Sequence, residues 1–99
     1  MTAIEVRING KLEATCGAEA LHQLVAMVAA RSSKEGSKVS YVVECMGVRP
    51  KNATTDEVLR WLNSRISMGD EVSFKFVEAA SASAPFDSQD IPHNGGRDS

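Results

Sequence analysis

The residues suited to chemistry in this chain are few, and their spacing does not bring them together. Cys16 and Cys45 are its two cysteines. They lack metal-ligand spacing, and in a reducing compartment they are most simply core residues. Cys16 with His22 would make a thiolate–imidazole nucleophile. Gly17 and a helix start separate the two, and nothing supplies an orienting third group. His93 sits in a polar stretch without a fixed partner. Asp56-Glu57 and Asp70-Glu71 look like paired carboxylates, but a helix cap and a turn account for them better than acid–base work. No glycine-rich phosphate loop and no metal-spaced His/Cys set is present. The reading is a non-enzyme with no catalytic residue, cofactor or metal.

The elements that must position any site follow from length and pattern. Ninety-nine residues are enough for one small domain. Eleven Lys+Arg against thirteen Asp+Glu give a net charge of −2, so no basic excess is available for nucleic acid or an anionic membrane. Residues 1–78 are neutral, and Asp87, Asp90 and Asp98 against Arg97 supply the whole imbalance. No apolar run approaches the roughly 20 residues of a membrane span. The first seven residues alternate like a strand rather than a signal peptide, which points to the cytoplasm.

Ile4, Val6 and Ile8 alternate with polar residues and predict a strand. Asn9-Gly10 is a hairpin signal, with Leu12, Ala14 and Cys16 as the apolar stripe of a second strand. A two-residue loop would put that stripe on the wrong face. A three-residue turn with a Gly10 bulge, pairing Val6 with Leu12, restores it; a shifted register pairing Ile8 with Leu12 does so too. Ala18 to about Ser32 predicts a helix, from Leu21, Leu24, Val25 and Val28 at helical spacing and from its alanines. Val39 to Met46 predicts an interior strand. Thr54-Thr55-Asp56-Glu57 matches a capping box and opens a second helix burying Val58, Leu59, Leu62 and Ile66. Val72, Phe74 and Phe76 mark a fourth strand. Residues 79–99 are small and polar, and are expected to form a flexible acidic tail.

The order is β-β-α-β-α-β. With the Ile4-Glu-Val-Arg-Ile-Asn-Gly10 hairpin, the Gly17-Ala-Glu-Ala-Leu21 helix start and Met68-Gly-Asp-Glu-Val72 before the last strand, residues 3–78 resemble the β-grasp or ubiquitin-like fold. The nearest likeness is to the small sulfur-carrier proteins of thiamin and molybdopterin biosynthesis. The resemblance implies an α+β domain over residues 1–78, with a helix packed on one face of a mixed four-stranded sheet. It also implies that the first and last strands lie side by side and parallel. The other face would be polar, carrying Glu5, Arg7, Lys11, Glu13, Ser73 and Lys75.

In such carriers a terminal Gly-Gly carboxylate is activated and then thiolated or conjugated. Gly95-Gly96 is present here, but Arg97-Asp98-Ser99 follow it, so a modifier reading requires processing after Gly96. The favoured expectation is a small protein that works by binding another protein, in an adaptor, inhibitor or immunity-type role. Its candidate contacts are Trp61 on a helix flank and Arg7, Lys75 and Val77 on the polar sheet face.

Overall fold

The computed structural model describes residues 1–93. It has seven strands: β1 (Thr2–Ile8), β2 (Lys11–Cys16), β3 (Gln23–Ser32), β4 (Val39–Asn52), β5 (Thr55–Ile66), β6 (Val72–Glu78) and β7 (Asp87–Pro92). They form two sheets, ordered β2-β1-β6 and β3-β4-β5-β7. Every pairing is antiparallel. The expected α+β, β-grasp-like architecture is therefore overturned, because a ubiquitin-like fold needs a helix across its sheet and the described residues contain none. No helix among them is long and apolar enough to cross a membrane.

The first hairpin keeps its apolar residues on one face by a device other than the expected turn. Asn9 (φ 52°) and Gly10 (φ 83°) form a two-residue turn with both residues in the left-handed region, so Ile8 stands opposite Lys11. The parity error this creates is corrected further along. Val6 pairs with Ala14 and Arg7 with Leu12, so Glu13 is an extra, bulged residue. Ala14 and Cys16 then share a face with Val6 and Ile4, while Leu12 goes to the outer face and is exposed. β6 lies beside β1 as expected, but antiparallel to it.

Both expected helices are strands. Residues 23–32 pair with β4 from Gln23↔Val48 to Ser32↔Val39, a ladder as long as β3 itself. Alternate residues Leu24, Ala26, Val28 and Ala30 share a face with the core side of β4. At the second site the Thr54 cap is replaced by a turn. Asn52 Oδ1 accepts from Thr54 N at 2.9 Å and from Thr54 Oγ1 at 3.2 Å, and Asn52 pairs with Thr55. Asn52 thus closes a β4–β5 hairpin through an Asx-type bond where the sequence reading starts a helix.

β5 contains a second bulge. Cys45 pairs with Leu62 but Met46 with Arg60, so Trp61 is the inserted residue. The stretch expected to be a flexible tail also contributes to the fold. β7 pairs with β5 from Thr55↔Pro92 to Arg60↔Asp87.

The core lies between the sheets. Ile4, Val6, Ala14 and Cys16 from one sheet meet Val43, Cys45, Leu59 and Trp61 from the other, and among the described residues no polar or charged residue is buried. Gly47 leaves room for this packing. A Cβ there would lie 3.0 Å from Leu21 Cδ2, 3.1 Å from Trp61 Cζ3 and 3.2 Å from the Gln23 carbonyl oxygen.

Candidate functional site

The two sheets do not cover each other completely. β1 lies against β3 and β2 against β5, which leaves β6 overhanging the free edge of β3. Phe74 and Phe76 pair with Val6 and Ile4, so they share the inward face of the sheet. They are nevertheless 40% and 73% exposed, because no strand among the described residues lies beneath β6. Val28 on the inward face of β3 is 53% exposed for the same reason. Met68, in the β5–β6 connection, is exposed at one end of the gap.

The gap consists of two neighbouring clefts. One of about 360 Å³ is lined by Val28–Ala30, Tyr41, Ile66–Asp70, Val72 and Phe74. The other, about 300 Å³, is lined by Ile4, Leu24–Ala26 and Phe74–Phe76. Phe74 is common to both, so together they run as one apolar trough along β3. Asp70 and Lys75 are its charged lining residues.

Strand edges carry unpaired backbone groups, and proteins normally protect them with charge, proline, bulges or covering segments. Three of the four edges here are protected. The β2 edge has the Glu13 bulge and is covered by Ser83, whose N donates to Thr15 O at 2.8 Å while its Oγ accepts from Thr15 N at 3.0 Å. β7 carries Asp87, Asp90 and Pro92, and its carboxylates pair with Arg60 at 3.2 Å and Lys51 at 2.7 Å. β6 carries Lys75 and Glu78. β3 is the least protected: its first eight residues, Gln23 to Ala30, have no charge and no proline, its one charge, Arg31, is near the end and paired with Glu44 at 3.2 Å, and its second neighbour position is empty among the described residues.

Other chemistry-bearing side chains are placed by local structure. Asp56 and Glu57 are adjacent on a strand, so their side chains leave opposite faces. Asp56 meets His93 Nε2 at 3.0 Å, and Glu57 meets Arg49 at 3.0 Å. Asp70 fastens the β5–β6 turn to the first hairpin. Its carboxylate accepts from Ser67 N at 2.7 Å and from Asn9 Nδ2 at 3.0 Å, and these bonds hold its pKa below the ordinary value. His22 is exposed in the β2–β3 connection. Among the described residues no group of His, Cys, Asp or Glu is arranged to hold a metal ion. Cys16 and Cys45 are buried free thiols.

The sequence-based contacts separate. Trp61 is 6% exposed and donates from Nε1 to the Ser83 carbonyl at 2.9 Å, so it anchors the core rather than a partner. Arg7 and Lys75 do share the outer face of the three-stranded sheet, with Arg7 paired to Glu5 at 2.7 Å and Lys75 opposite Glu5. Val77 is half-buried on that face, opposite Ala3. Lys11 does not join them, since it stands opposite Ile8. Gly95 and Gly96 lie outside the described residues.

Sequence reasoning assigned Phe74 and Phe76 to a covered sheet face and missed the trough. One signal was legible: eight consecutive uncharged residues, Gln23 to Ala30, which suit an unprotected strand edge. Comparison with protein-family models, curated proteins and solved structures finds no match.

Proposed function

We propose that this protein is a non-enzymatic binding module that captures an extended segment of a partner protein by adding it to β3 as a further strand. The observation that carries the reading is the unprotected β3 edge beneath the overhanging, apolar β6. Backbone bonds to β3 would supply affinity, and apolar side chains at every second position would seat under Phe74 and Phe76. About ten residues match the length of β3.

The overhang also selects the kind of partner. Two copies pairing β3 to β3 would each push an overhanging β6 into the space held by the other's β1. A single extended segment meets no such obstacle, so the occupant is a linear stretch of a protein rather than the edge of another such sandwich. An adaptor, inhibitor or immunity-type role suits this mode. A cytoplasmic setting, in which both thiols stay reduced, belongs to the same reading.

Selection from a displayed library of random peptides about as long as β3 tests it. Enriched peptides are expected to alternate apolar and polar residues. Val28→Lys and Phe76→Ser should each weaken them by at least about tenfold, ~1.4 kcal/mol. Both side chains are more than half exposed, so folding should survive these changes. No enrichment, or peptides indifferent to both substitutions, would refute the proposal.

A further inference from the structure

We propose that Cys16 and Cys45 are a latent inter-sheet cross-link, closing to a disulfide when the protein meets a low-molecular-weight disulfide oxidant. The residues lie on facing sheets: Cys16 ends β2, opposite Ile4, and Cys45 is central in β4, between Ala26 and Leu62. Both belong to one core cluster, at 0% and 1% exposure. Ile4, the partner of Cys16, and Ala26, the partner of Cys45, line one cleft, so the two cysteines sit on adjoining strands of the facing sheets. Isolated buried cysteines act as small apolar residues. Two that face each other from opposite sheets of one core are instead candidates for bond formation.

The same surroundings determine how the bond forms. Both thiols are sealed in the core at 0% and 1% exposure, so the folded protein keeps them out of reach of an oxidant in solution. Reaction proceeds through an opened or folding chain. One thiolate attacks an oxidant R–S–S–R, forming a mixed disulfide and releasing R–S⁻, which takes up a proton. The second thiol loses its proton and displaces the remaining R–S⁻ as Cys16–S–S–Cys45 forms. Two protein thiols are oxidised, one oxidant disulfide is reduced, and two R–SH leave.

The bond would tie the edge strand of one sheet to the middle of the other. It closes a loop of about 30 residues that contains β3, which restricts the unfolded chain substantially. The inference does not depend on the binding proposal, since it concerns the core alone.

The test uses the full chain, refolded from denaturant with oxidised glutathione and compared with the reduced protein. The expected results are an intact mass lower by ~2 Da, a 16–45 linked peptide on digestion, and a Tm higher by roughly 10–20 °C that dithiothreitol abolishes. Native protein should oxidise far more slowly than refolding protein. Cys16→Ser, refolded alongside, should take up a single glutathione and gain no stability. Recovery of folded protein with two free thiols or two glutathione adducts, or a linked form with a lower Tm, would overturn the proposal.

Discussion

Replacing Trp61 with alanine removes the side chain on which the junction of the two sheets depends. A tryptophan buries about 150–250 Å² on folding, which at ~25 cal/mol per Å² corresponds to roughly 4–6 kcal/mol. Trp61 is 6% exposed, so nearly all of that applies. Partial collapse of Leu21 and the Ser83 segment into the space would reduce the loss. The Ser83 carbonyl loses the 2.9 Å bond from Nε1, but Ser83 is exposed and water can replace the donor. A destabilisation of about 3–5 kcal/mol is therefore expected. Urea unfolding followed by far-ultraviolet circular dichroism checks it, since the variant has no tryptophan to report by fluorescence. With a slope near ~1 kcal/mol per molar urea, the midpoint should fall by ~3–5 M, enough to unfold a domain of ordinary stability in buffer. Trp61→Phe should cost less and keep the fold. If Trp61→Ala loses under ~1 kcal/mol, as surface substitutions do, Trp61 is not the core residue described above.

Gly47→Ala should lower stability by about 1–3 kcal/mol, read as a fall in Tm. The new methyl can displace Leu21 and Trp61 but not the Gln23 carbonyl 3.2 Å away, and an unchanged Tm would contradict this packing. Asp70 should titrate below the usual 3.8 by nuclear magnetic resonance, because its ionised form accepts from Ser67 N and Asn9. With the folded pKa depressed, its contribution is complete above the unfolded value and disappears as pH falls through the folded one. Asp70→Asn should therefore be less stable than the parent at neutral pH and equal to it in strong acid. A gap that persists in strong acid would show that ionisation is not the cause.

The strands expected at β1, β2, β6 and the first half of β4 were legible because one face of each is apolar and the other is not. The adjacency of β1 and β6 was anticipated too, though their relative direction was not. Residues 23–32 were ambiguous by nature. Leu24, Val25 and Val28 satisfy helical spacing, while Leu24, Ala26, Val28 and Ala30 satisfy period two, since almost every residue between them is apolar. The β5 segment was misleading for a specific reason. The bulge at Trp61 spaces the inward residues Leu59, Leu62 and Ile66 by three and then four, which reproduces the stripe of an amphipathic helix. The candidate site was less legible still. Phe74 and Phe76 look like core from their alternation, and only the offset between the sheets leaves them uncovered.

By itself the sequence determined a small domain, the alternation of its clearest strands and the place of the turn at Asn9-Gly10, though not its type. These depend on local sterics and on alternation, which neighbouring residues specify among themselves. Tertiary structure decided between helix and strand for β3 and β5, placed the bulges at Glu13 and Trp61, and left β6 projecting past β3. Those outcomes rest on ladders between distant segments and on which sheet faces cover each other, and no window of neighbouring residues contains that information.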